Sequence, residues 1–253
     1  MRLFLLLAFA GVASLGAGLF FQEFNLGASE LEFIADFGFG SMTLLGSIMT
    51  VVVTAQLVYG EIEQRTLMPL LAKPVSRGEF LCGKLLGAWA TICCFVGILA
   101  LSTVLAVWIR AAQIGETAAQ AYAVGEAVGA GDIALFAGLQ CIRLMVLASV
   151  TAFFASYASS QLFAVFMGGF FWILGQLHDV FIEQAARGSA VGSIILKLAA
   201  YLVPDLRAFE LGSQLIEGNA ASAGQILQLA GYGLLYSVFY SVLAVAALKN
   251  REL

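Results

Sequence analysis

Leu85–Ile109 reads LLGAWATICCFVGILALSTVLAVWI, 25 residues without a single charge. As a helix it would be about 38 Å long, enough to cross the ~30 Å hydrocarbon core of a bilayer. The run is continuously apolar and lacks the in/out alternation of a barrel strand, so a membrane-spanning helix is expected. Four further runs share this character: Leu3–Phe21, Phe39–Tyr59, Leu162–Leu177 and Ile226–Leu248. Leu162–Leu177 reaches across only if its ends extend slightly. A sixth, Ile133–Ser156, is interrupted by Arg143.

Composition agrees. Of 253 residues, 61% are apolar and 11% are charged, against roughly 45–50% and about 25% in soluble domains. A soluble fold of this size needs more charge to cover its surface. The expected architecture is an all-α integral membrane protein, one membrane domain over 1–253, with six transmembrane helices. Gly83-x-x-x-Gly87 has the spacing of small residues at helix contacts and is read as packing only. Met1-Arg2 before an apolar run resembles a secretory signal, but the 19 residues of Leu3–Phe21 exceed the roughly 7–15 of a signal core, which favours a retained helix.

Orientation follows from the cations. With the N-terminus inside, Arg2, Arg65, Lys73, Arg77, Lys84, Lys249 and Arg251 are cytoplasmic; Arg110, Arg187, Lys197 and Arg207 are outside; Arg143 is left in the membrane. That bias places both termini in the cytoplasm. Twelve of the sixteen acids fall outside, which carries little weight.

Between the spans lie an acidic outer loop, Gln22–Gly38, a polar loop, Arg110–Asp132, and a short turn, Tyr157–Gln161. The long outer segment Asp179–Gln225 contains Ser193–Val203, apolar but too short to span. Such a piece is expected to be interfacial or re-entrant. Pro204-Asp205 ends it.

The informative segment is cytoplasmic, Tyr59–Lys84: YGEIEQRTLMPLLAKPVSRGEFLCGK. Ser76-x-x-Glu79 is a capping box, with Val75 and Phe80 at the staple positions, so a helix should begin at Ser76. Lys73-Pro74 marks the break before it. Glu61–Leu71 is expected to be a short charged helix. Read blandly, all this is a solvated loop with good caps.

The order of residue types goes further. Glu61-x-Glu63-x-Arg65-Thr66-Leu67, Leu70-Leu71, then Lys73-Pro74-Val75-Ser76-Arg77-x-Glu79-Phe80-Leu81-x-Gly83-Lys84 resembles the inter-helix signature of type 2 ABC exporter permeases. The resemblance is greatest to the subgroup that includes copper-site maturation and gliding-motility permeases. Val203-Pro204-Asp205-Leu206-x-x-Phe209 is similar to a Pro-Asn-Leu-x-x-Phe segment of that subgroup, with Asp in place of Asn. Relatives begin with a basic amphipathic helix on the membrane. Here the span starts at Leu3, so that element is absent or the start site is misassigned. His178-Asp179 lies near a Gly-His-containing pattern of relatives, but its surroundings differ and no role is carried over.

The resemblance implies a non-catalytic transport subunit in a bacterial inner membrane. Its partners would be an ABC ATPase, a second permease in a homodimer or heterodimer, and lipid, with no nucleic acid. ATP and Mg would be bound by the ATPase, leaving this chain without a cofactor of its own; no G-x-x-x-x-G-K-[ST] occurs in it. Glu61, Glu63, Arg65, Thr66, Lys73, Pro74, Ser76, Arg77, Glu79 and Lys84 would form the ATPase-coupling segment. Within it Glu61–Leu71 would act as a lever in a groove of the ATPase. Arg143 is a candidate intramembrane polar site, or a side chain reaching the outer headgroups if the fourth span starts near Leu139. Neither a nucleophile–base pair nor a metal constellation is recognisable, and Cys82, Cys93, Cys94 and Cys141 include no C-x-x-C. Two alternatives are an assembly or scaffold protein, told apart by whether an ATPase co-purifies, and a secondary transporter or membrane enzyme, which places several ionisable residues in its spans. Nothing in the spans singles out a substrate.

Overall fold

The computed structural model describes residues 2–21, 30–63, 77–115, 128–187, 201–210 and 222–249. Regular structure there is entirely helical: α1 (Arg2–Phe21), α2 (Glu30–Glu63), α3 (Arg77–Ile114), α4 (Ala130–Tyr157), α5 (Gln161–Gln176), α6 (His178–Arg187), a 3-10 turn (Arg207–Phe209) and α7 (Ala223–Lys249). Among the described residues four helices are long and apolar enough to cross a membrane: Leu31–Gly60, Arg77–Gln113, Ala130–Tyr157 and Ala223–Lys249. The pair Gln161–Gln176 and His178–Gln184, bent by 61°, makes a fifth candidate if taken as one span. α1 occupies the stretch read as the first span, and Phe4–Ala13 is its shorter apolar piece.

Helix ends follow local chemistry. α3 is described from Arg77, and the expected cap Ser76 lies outside the described residues. It ends at Gly115, whose φ of 63° is left-handed and whose N–H donates to the Ala111 carbonyl at 3.1 Å; glycine adopts that conformation without a Cβ penalty. At the start of α4, Asp132 reaches back to accept from the Gly129 N–H at 3.0 Å, the carboxylate half of a capping box. Ser160 caps α5 by accepting from the Phe163 N–H at 3.2 Å.

One expected loop is partly helix. Of Gln22–Gly38, the residues from Glu30 onward belong to α2. Glu30, Glu32 and Asp36 suggest a solvated loop, but Leu31, Ile34, Ala35 and Gly38 fall at helical spacing and are buried. An amphipathic first turn satisfies both patterns.

Packing divides the chain into two compact units, and α2, α3, α4 and α7 each contribute to both. The first comprises residues 1–49, 90–142 and 210–230. In it Phe39 stacks on Phe136 with ring centroids 4.1 Å apart, and Phe4 meets Phe95 edge-on at 5.8 Å. A Cβ at Gly11 would collide with Leu99, and one at Gly38 with Thr103. The second comprises residues 50–89, 143–209 and 231–253. There a Cβ on Gly168 would meet the Thr151 hydroxyl at 2.8 Å and Val51 at 3.0 Å. Helices in lipid have no hydrophobic drive to associate, so close van der Waals approach at small residues does this work. A Cβ on Gly83 or Gly87 would meet nothing within 4 Å among the described residues.

Candidate functional site

The coupling segment is described only at its ends. Glu61 and Glu63 lie in the last turn of α2, which continues past Tyr59 without a break, so they extend that helix rather than open a separate one. Arg65, Thr66, Lys73, Pro74 and Ser76 lie outside the described residues, as does the rest of the expected Glu61–Leu71 helix beyond Glu63. Arg77, Glu79 and Lys84 are on α3.

Both ends of the segment rest on one apolar cluster. Val58 and Tyr59 from α2, and Phe80, Leu81 and Leu85 from α3, pack with Ala155, Ala158, Ala244 and Leu248. The Tyr59 hydroxyl donates to the Ser159 carbonyl at 2.8 Å. Arg77 Nη1 donates to the Leu248 and Lys249 carbonyls at 2.9 and 3.0 Å. These carbonyls belong to the last turn of α7, which has no intrahelical donors for them, and a cation there also answers the helix dipole. Arg77 therefore ties α3 to α7, a role that spacing along the chain could not reveal. Lys84 lies 5.7 Å from the Phe80 ring centroid, in cation–π range. Glu79 is exposed.

Arg143 lies near the middle of α4 with no exposed surface, and it is engaged by other groups of the protein. α4 begins at Ala130 rather than near Leu139, and burial rules out a side chain reaching headgroups. It sits in the second unit with other buried polar residues: Thr50 and Thr54 of α2, Ser149, Thr151 and Ser156 of α4, and Ser237 of α7. Ser149, Thr151 and Ser156 donate to the carbonyls of Met145, Leu147 and Ala152. That satisfies a hydroxyl inside its own helix, where water is absent. In the first unit Gln140 Nε2 donates to Thr43 Oγ1 at 2.9 Å.

Residues 201–205 are fastened to α7 by tyrosines. Tyr232, Tyr236 and Tyr240 recur every four residues on one face. The Asp205 N–H donates to the Tyr232 oxygen at 2.7 Å, Tyr236 donates to the Tyr201 carbonyl at 2.8 Å, and Tyr240 to the Leu202 carbonyl at 2.6 Å. Tyr240 lies nine residues before Lys249, about 14 Å along the axis, so Leu202 lies beside the apolar middle of α7; residues 193–200 of the expected Ser193–Val203 piece lie outside the described residues. Asp205 Oδ1 accepts from the Arg207 and Ala208 N–H groups at 3.0 and 3.1 Å, capping the 3-10 turn. An Asn side chain could do the same. Leu206 donates its N–H to the Gly175 carbonyl, and a Cβ at Gly175 would meet Leu206 at 2.8 Å. The Arg207–Asp179 pair, 3.3 Å apart, is largely exposed and contributes little.

Residues not brought together matter too. His178 opens α6 at the bend with a buried Nδ1 that has no hydrogen-bond partner among the described residues. The four cysteines are free. Among the described residues no group of three or more His, Cys, Asp or Glu could hold a metal.

None of the curated proteins compared with the chain matches it. Residues 5–253 match the family model described as ABC-2 family transporter protein. With helices of membrane-spanning length along the same residues, and with a match that leaves out only the first four residues, this multi-pass membrane protein belongs to the ABC-2 transporter family and is a permease of an ABC transporter.

Proposed function

We propose that the chain is the membrane half of an ABC exporter, driven by ATP hydrolysis in a separate ATPase subunit docked on residues 59–84. The observation that carries this reading is the anchoring of that segment at Tyr59 and Arg77, both against one apolar cluster. A segment held at both ends passes displacement to α2 and α3 instead of absorbing it, as a rigid-body switch requires. The family's ABC permeases work with an ABC ATPase, and this chain has no phosphate-binding loop of its own. ATP and Mg would sit on the partner. The working unit would be a homodimer or heterodimer of permeases in a bacterial inner membrane, each with six spans and both termini cytoplasmic. An affinity-tagged chain should co-purify an ABC ATPase whose turnover rises on reconstitution with the permease in nanodiscs. Recovery of the permease without any ATPase would favour the scaffold reading.

Orientation has its own check. In a background with the four cysteines replaced, Ser213→Cys should react with an impermeant maleimide from outside intact cells. Ser76→Cys should react only after the membrane is opened. The reverse labelling would invert the topology.

A further inference from the structure

A groove of about 560 Å³ lies between the first turns of α3 and the last turns of α7, inside the second unit. That size is within the roughly 300–1,000 Å³ of small-ligand sites. Its walls are Leu85, Leu86 and Trp89 on one side and Val238, Val242 and Val245 on the other. Ser241 also faces it, but its hydroxyl donates to the Ser237 carbonyl at 2.6 Å and asks nothing of an occupant. The other end is different: Lys249 lines the groove where α7 stops.

We infer that this groove holds one acyl chain of an anionic phospholipid, with the phosphate against the Lys249 ammonium. Length argues for a lipid rather than a protein helix. From Val238 to Lys249 the groove follows α7 for about 17 Å, close to half of the ~30 Å hydrocarbon thickness. That is the reach of one leaflet, whereas a partner's transmembrane helix would follow the whole span. Charge argues for an anion. Arg77 already answers the α7 carbonyls, which leaves the exposed Lys249 for a headgroup. Glu79, one turn before Cys82 on α3, is engaged within the protein. The inference concerns a lipid drawn from the surrounding leaflet and is independent of what the transporter moves.

Trp89 makes the groove measurable. The full chain carrying Trp108→Phe and Trp172→Phe, reconstituted in phosphatidylcholine vesicles, reports from Trp89 alone. Chain-brominated phosphatidylglycerol should quench it with about fivefold higher apparent affinity than brominated phosphatidylcholine, the effect of one basic residue at a membrane surface. Lys249→Gln should bring the two lipids level, and Val242→Phe should weaken quenching by both. A companion protein keeping only Trp108, which is exposed on α3, should show no preference. Equal quenching of Trp89 by the two lipids, or a preference untouched by Lys249→Gln, would overturn the inference. So would absence of quenching by either, which would mean that another protein surface covers the groove.

Discussion

Replacing Arg143 by leucine should destabilise the permease in the membrane by about 3–5 kcal/mol, the usual consequence of taking one member from a buried polar arrangement. The guanidinium carries five donors, and the groups that meet them lose their partner when it goes. The sign decides the matter. An arginine facing lipid costs ~2.5–3.5 kcal/mol at a helix centre, so its loss would stabilise the protein. Because Arg143 is fully buried and engaged, thermal unfolding in lipid nanodiscs should show a clear fall for Arg143→Leu and a smaller one for Arg143→Lys. An unchanged or raised melting temperature in Arg143→Leu would mean that the side chain contributes nothing to the interior. If Arg143→Lys folds normally yet loses transport, the residue serves the path and not only the fold.

Charge reversal at Glu63 and Arg65 together should weaken ATPase association by at least about 30-fold, while the permease still inserts. Losing one partner of a desolvated interfacial ion pair costs about 2–5 kcal/mol, and 1.4 kcal/mol is tenfold in affinity. A pull-down titration and an ATPase assay in the same nanodiscs would read both association and coupling. The control belongs on the opposite side of the membrane under the proposed topology. Glu32 is half-buried at the start of α2, whereas Asp36 is exposed, so Asp36→Lys is the cleaner choice and should leave binding intact. Full binding and transport after reversal at Glu63 and Arg65 would reduce the segment to a solvated loop.

How much of this could be read from residues alone depended on the kind of signal. Long uncharged runs such as Leu85–Ile109 are unambiguous, because a bilayer tolerates little else. That a helix runs through Glu79 and Phe80 was legible too, while the Ser76 cap expected for it lies outside the described residues. The start of α2 was not. Its acids point outward while Leu31 and Ile34 point inward, and a loop and an amphipathic turn look alike over eight residues. Arg77 illustrates a further limit: its carbonyl partners are 171 and 172 positions away in sequence. A cation in a charged segment between two spans reads as a contact for a partner protein, and only the fold shows that α7 claims it. Tyr232, Tyr236 and Tyr240 were hidden for another reason. In an apolar run, tyrosines at helical spacing look like core or interfacial aromatics, and their hydroxyl partners come from an irregular segment that no periodicity announces. Burial of Arg143 likewise needed tertiary packing to decide between headgroup and interior.

The two ends of α7 have different fasteners. At one, a single guanidinium from the first residue of α3 holds its final carbonyls; along its length, three phenols hold the backbone at residues 201–205. Between the Arg77 contact and Tyr232 lie about 26 Å of unbroken helix. A helix resists compression, so α7 acts as a connecting rod. Displacement of the first turn of α3 must either snap two charge-assisted hydrogen bonds or carry the rod, and with it the backbone at residues 201–205, in the same stroke. On this view the Pro204-Asp205-Leu206 stretch is the far terminal of a linkage whose near terminal is Arg77.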